Sequence, residues 1–187
     1  MSNTLFQQCP ARTSAVELRQ DLQVRPCCVW RGPGVELTTT LNSAVNSYSE
    51  FTATAQVEGC SKCSTQESLG QDSRRQLFEE YQRQGQQFFY DLQFTNLCNL
   101  ACRMCNPQYS SRTIPLFQSL PGVYTNTTRV ASNWSPEHLA AILKDINTRS
   151  SVGPVVVSIK GGEPTIQPEV KTLLENLESP QRVTLKI

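Results

Sequence analysis

The sequence predicts an α/β fold in which a small, irregular, cysteine-rich region, residues 1–87, precedes a strand–helix half, residues 88–187. Three observations carry this. From residue 88 onward the apolar pattern runs strand, helix, strand, helix, strand, the order of a parallel α/β unit. The run Val155-Val156-Val157-Ser158-Ile159-Lys160 is nearly continuous in apolar residues, as a parallel strand buried on both faces is. Residues 38–56 show only weak periodicity, and over the whole chain 11 prolines with 38% hydrophobic content point to much irregular chain.

The 187 residues suffice for one ordinary domain or two small ones. A net charge of +1, from 17 basic and 16 acidic side chains, leaves no bulk electrostatic footprint for nucleic acid. Met1-Ser2-Asn3-Thr4-Leu5-Phe6-Gln7-Gln8 lacks the basic start and apolar core of a secretory segment. No apolar run approaches the roughly 18 residues that a membrane span needs. Eight cysteines are too few for a small disulfide scaffold. The thiols therefore read as reduced, cytoplasmic and metal-binding. The sequons at Asn126 and Asn133 read as chance matches in that compartment.

In chain order, Cys9-Pro10 comes first, then Arg25-Pro26-Cys27-Cys28 and a Gly32-Pro33-Gly34 turn. Residues 38–56 are rich in Ser, Thr and Asn, and we expect loops with one short helix over 43–55. Cys60 and Cys63 are separated by two residues, which lets one turn deliver both thiolates to one metal. A four-ligand site then draws on Cys9, Cys27 or Cys28. Neighbouring side chains diverge, so the set is Cys9, Cys27, Cys60 and Cys63, with Cys28 as the substitute; a disulfide or buried free thiols are the plain alternative. Asp72 is expected to cap a helix over 73–84 whose apolar face is Leu77, Phe78 and Tyr81, with Gly85 ending it.

The second region opens on a strand over 88–95. A helix over 107–118 is expected to break at Pro115, and 120–126 reads as loop. Ser135 caps a helix with Pro136 at its first position and Leu139, Ile142, Leu143 and Ile146 on one face. His138, the single histidine, lies in its first turn and reads as solvated rather than as a ligand. Gly161-Gly162 ends the strand over 155–160. An amphipathic helix over 167–178 and a strand with alternating Val183, Leu185 and Ile187 follow.

The chemistry concentrates in Cys98-Asn99-Leu100-Ala101-Cys102-Arg103-Met104-Cys105, directly after the first strand. Soft thiolates clustered at a strand end are a metal-site signature. Three of them leave one position of a four-iron cluster open for a small molecule. The plain alternative is a helical face of buried thiols, since offsets of 4 and 7 share one face. Pro107 limits how far such a helix runs.

The triplet resembles the Cys-x3-Cys-x2-Cys signature of radical S-adenosylmethionine (radical SAM) enzymes, with Met104 where an aromatic residue is common. Lys160-Gly161-Gly162-Glu163-Pro164 is similar to the Gly-Gly-Glu-Pro stretch ending the second barrel strand of the same enzymes. Cys9-Pro10, Arg25-Pro26-Cys27-Cys28 and Cys60-x2-Cys63-x3-Glu67-x2-Gly70-x2-Ser73-x-Arg75 look like a twitch/SPASM-type auxiliary-cluster region. The resemblance implies the N-terminal half of a partial (β/α)6 radical SAM barrel. It implies a [4Fe–4S] cluster on Cys98, Cys102 and Cys105, and an auxiliary iron–sulfur cluster on the N-terminal thiols. S-adenosylmethionine (SAM) would lie against Met104, Gly161, Gly162, Glu163 and Pro164. Reductive cleavage of SAM would give a 5′-deoxyadenosyl radical that abstracts hydrogen from a substrate. The implied partners are an electron donor such as flavodoxin or ferredoxin and a peptide or protein substrate.

The resembled enzymes have about six strand–helix units, and here three strands are counted up to Ile187. We therefore expect a truncated frame, a fragment, or one part of a split enzyme completed by a chain supplying the missing barrel half. The alternative function, from another class, is a non-catalytic zinc or iron–sulfur binding module.

Overall fold

A computed structural model describes residues 7–37, 40–120, 122 and 132–187. Six strands form one mixed sheet: β1 (Ala15–Leu18), β2 (Gln23–Arg25), β3 (Val35–Glu36), β4 (Phe88–Leu92), β5 (Val155–Ile159) and β6 (Val183–Lys186). Their spatial order is β3-β2-β1-β4-β5-β6. The pairs β1–β4, β4–β5 and β5–β6 are parallel, while β1–β2 and β2–β3 are antiparallel. One sheet thus runs across residue 87, and the cysteine-rich region contributes half of its strands.

The strands over β4, β5 and β6 lie where the apolar pattern puts them, each shorter than expected by a residue or more. Strands β1 to β3 are a correction to the reading of residues 1–87 as a small, irregular region. Strand β1 has only four residues, all buried, and one is Glu17. A charge in a four-residue run hides the strand, because Lys160, one of the two cations that face it, lies far along the chain.

Eight α-helices are described: α1 (Ala11–Ser14), α2 (Leu41–Asn46), α3 (Ala53–Gly59), α4 (Ser61–Ser68), α5 (Arg74–Arg83), α6 (Ile114–Ser119), α7 (Pro136–Val152) and α8 (Pro168–Glu175). The single helix expected over 43–55 is instead α2, a 3₁₀ turn at Ser47–Glu50, and α3. Thr40 and Thr52 each cap a new start through the hydroxyl, which explains the division. Ser73, not Asp72, caps α5, in a capping box with Gln76. Gly85 follows with φ +80°, the left-handed conformation that ends a helix. Pro115 sits in the first turn of α6 and opens that helix rather than breaking one. Ser135 caps α7 as expected, and His138 closes the box by accepting from the Ser135 N–H at 3.2 Å. The loop expected over 120–126 falls mostly outside the described residues.

The sheet has two different faces. One carries the main core: Val16, Leu18, Tyr90, Leu92, Val157 and Ile159 against Ile142 and Ile146 of α7 and Leu173 of α8. The other begins with Ala15, Phe89 and Val156 side by side in register, covered by Phe78 and Tyr81 of α5 and bordered by Cys9 and Cys27. Two residues further along, the alternation of strand side chains puts Glu17, Asp91 and Ser158 in the next row of that face. Among the described residues, no helix is long and apolar enough to cross a membrane.

Candidate metal centres

Strand β4 delivers the three-cysteine loop. After Leu92 the chain stays buried through Asn96, whose side-chain amide donates to the Pro107 carbonyl at 2.8 Å and closes the loop at its base. Inside it the Cys105 N–H donates to the Cys102 carbonyl at 3.0 Å, and the Cys98 N–H donates to Ser111 Oγ at 3.1 Å. Cys98 is buried, Cys105 half-buried and Cys102 exposed. Burial pushes the Cys105 thiol up, the Asn106 backbone pulls it back, and the charges of Cys98 and Cys102 push it up again. Cys105 is therefore within electrostatic reach of both other thiols at the end of β4. Met104 beside them is fully exposed.

The Gly161–Gly162 turn after β5 is fastened to this loop. The Gly162 N–H donates to the Tyr109 carbonyl at 2.6 Å, and the Glu163 N–H donates to the Leu97 carbonyl at 2.8 Å. Those two acceptors flank the three-cysteine segment. Both glycines have positive φ, +79° and +64°. A Cβ on Gly162 would overlap the Leu97 carbonyl oxygen, so the approach of the two loops requires glycine there. Glu163 accepts from the Thr165 hydroxyl at 2.8 Å through Oε1, and Pro164 is buried behind it. Buried Gln167 donates to the Gly161 carbonyl at 2.8 Å, and buried Gln93 lies against Gly161.

The N-terminal thiols converge from three segments. Cys9 precedes α1, Cys27 follows β2, and Cys60 and Cys63 lie at the α3–α4 junction. A Cβ on Gly59 would overlap the Trp30 ring, so glycine lets the Cys60 turn pack against the Cys27 loop. Cys9, Cys27, Cys60 and Cys63 together line one cavity of about 20 Å³, walled by Arg75 and Phe78. Burial pushes Cys9 up to about 11 and Cys60 up to about 12, and it holds Cys27 well above the ordinary thiol range. Charge on Cys9 or Cys63 further disfavours charge on Cys27 and Cys60, as expected where thiolates share a buried space. Cys28 is placed differently. Its charged neighbours are Asp91, Arg74 and Lys160, and burial again raises it first.

Among the described residues, no group of three or more His, Cys, Asp or Glu is set to hold a single metal ion. A cubane cluster spreads its thiolates farther apart than one ion does. Four soft sulfurs around one enclosed, largely apolar space fit such a cluster in kind and number.

Between the two thiol groups lies a charged floor that sequence reasoning did not identify. Lys160 Nζ donates to Glu17 Oε1 and to Asp91 Oδ2, each at 2.9 Å. Arg19 Nε is 3.0 Å from Glu17 Oε2, and Arg74 is 3.9 Å from Asp91 Oδ2. The signal for Asp91 was present: it is the one charge in Phe88-Phe89-Tyr90-Asp91-Leu92. A charge inside an otherwise apolar strand needs a partner. No family model, no curated protein and no solved structure gives a significant match to this chain.

Proposed function

We propose that this chain is a radical SAM-type iron–sulfur protein, in which Cys98, Cys102 and Cys105 hold a [4Fe–4S] cluster and Gly161, Gly162 and Glu163 hold the methionine end of SAM. In this reading β4, β5 and β6 are the first three strands of a partial barrel. One observation carries it. The Gly-Gly-Glu turn is hydrogen-bonded to both flanks of the three-cysteine loop, at the ends of two neighbouring parallel strands. Ligands in parallel α/β folds bind at such strand ends.

Each residue has a defined task. Three thiolates occupy three irons and leave the fourth open to an amino acid. Gly162 keeps the wall free of side-chain bulk. Glu163 uses Oε1 on Thr165, and Oε2 is assigned to the ammonium group of SAM. When bound, the cluster and SAM together supply an electron and the 5′-deoxyadenosyl radical that takes hydrogen from a substrate. The electron comes from a flavodoxin or ferredoxin type of donor, and the substrate class is a peptide or protein. The N-terminal thiols hold the auxiliary cluster.

The test is anaerobic reconstitution with iron and sulfide, reduction by dithionite, and mass-spectrometric detection of 5′-deoxyadenosine and methionine. Cleavage that is lost in Cys98→Ala, Cys102→Ala and Cys105→Ala, but retained in Cys60→Ala, supports the reading. Protein that binds zinc, or binds iron without responding to SAM, supports a structural metal module instead.

A further inference from the structure

Arg75 is the one charged side chain among the residues lining the four-thiol cavity. Its position is fixed by a clamp. Nε and Nη2 donate to the two oxygens of Glu67, each at 2.9 Å, a bidentate pair. Nη1 pairs with Glu79 one turn along α5. Glu67 is itself held by the Ser73 hydroxyl at 2.5 Å, and Ser73 caps the helix that carries Arg75. All three guanidinium nitrogens are thus engaged, and the group is mostly buried. A surface arginine with no task gains little from such an arrangement, because it costs side-chain entropy.

Arg75 lines the cavity, and Glu67 and Glu79 pair with it there, so the cation and the carboxylates act on the cavity with opposite signs.

We propose that Arg75, clamped by Glu67 and Glu79, sets the reduction potential of a cluster bound by Cys9, Cys27, Cys60 and Cys63, as a positioning residue and not as a ligand. This rests on the auxiliary-cluster reading above. Reduction by an external one-electron donor adds one negative charge to the cluster and leaves every protein bond in place. A fixed cation in a poorly solvated site stabilises that added charge and raises the potential. The nearby carboxylates lower it.

The experiment uses the full chain with Cys98, Cys102 and Cys105 replaced by Ala, so that only the N-terminal site loads. After reconstitution with iron and sulfide, the midpoint potential is read from the reduced-state paramagnetic signal. Arg75→Gln moves the potential to more negative values, each tenfold loss in the reduced-to-oxidised ratio being about 59 mV for one electron. Arg75→Lys recovers most of the shift. Glu67→Gln moves the potential the opposite way. A structural tie alone predicts lower iron content in both Gln variants and no opposed shifts. An unchanged potential in Arg75→Gln with full iron content overturns the proposal alone, as do shifts of the same sign in the two Gln variants. Arg75→Lys and Glu67→Gln decide the matter should Arg75→Gln not load: an unshifted Glu67→Gln, or an Arg75→Lys potential far from wild type, overturns it. A chain that takes up no iron and sulfide at these thiols overturns the cluster reading and the proposal with it.

Discussion

Replacing Lys160 by Met should be the most damaging single substitution in the charged floor. The ammonium group bridges Glu17 and Asp91 at 2.9 Å each, and those carboxylates are 0% and 4% exposed. Met keeps most of the side-chain volume and removes the charge, leaving two buried carboxylates without their shared partner. Removing one member of a buried ion pair costs about 3–5 kcal/mol. The low end applies here, because Lys160 is about a quarter exposed and Arg19 still faces Glu17 at 3.0 Å. A loss of about 3 kcal/mol is a large part of the roughly 5–15 kcal/mol that hold a domain folded. With a urea slope of about 2 kcal/mol/M, the unfolding midpoint falls by about 1.5 M. Adding Asp91→Asn to Lys160→Met should recover part of the loss by removing one uncompensated charge. A midpoint lowered by less than about 0.3 M at unchanged slope would refute the reasoning. The pH dependence gives a second check. Burial pulls the Lys160 pKa down, but the charges of Asp91, Glu17 and Cys28 outweigh it, so the net shift is upward. A raised lysine contributes stability below its ordinary value, near 10.5, and loses it as pH climbs through the folded value. Wild type should therefore lose more stability than Lys160→Met above that pH.

Gly162→Ala should destabilise by about 2 kcal/mol or more, since positive φ and overlap with the Leu97 carbonyl act together; thermal unfolding reads the loss, and a neutral variant would mean that the two loops move freely apart. Hydrogen bonds from Arg75 hold Glu67 below its ordinary carboxyl value, a contribution present above about pH 4.5 and lost as pH falls through the lowered value. Acid titration of wild type against Glu67→Gln should show the steeper loss in wild type, and parallel curves would contradict the clamp. Ser73→Ala removes a cap and a hydroxyl on Glu67 and should cost about 1–2 kcal/mol in urea unfolding, where Asp72→Ala should cost little.

The strand–helix half was legible because long elements announce themselves. The valine run gave β5, and the capping residue with Leu139, Ile142 and Ile146 gave α7. Strands β2 and β3, with three and two residues, carry too few positions for a period, and in four-residue β1 Glu17 removes one of them. Its neutralisation by Lys160, 143 residues away, is a tertiary fact that no local pattern contains. The cysteine spacings drew attention to both thiol groups. That Cys27 faces the cavity and Cys28 faces Asp91 depends on how the turn after β2 packs against Gly59, which spacing does not encode. The role of Arg75 became visible only once the Glu67 and Glu79 partners were fixed in space.

For SAM chemistry at this site, three sulfurs must bind a cluster and leave one iron open. The most direct measurement is the electron paramagnetic resonance spectrum of reduced, reconstituted Cys60→Ala/Cys63→Ala protein, recorded with and without SAM. A four-iron signal should appear, and its shape should change when SAM is added. An identical spectrum in both samples, or no cluster signal at all, would contradict the radical SAM reading.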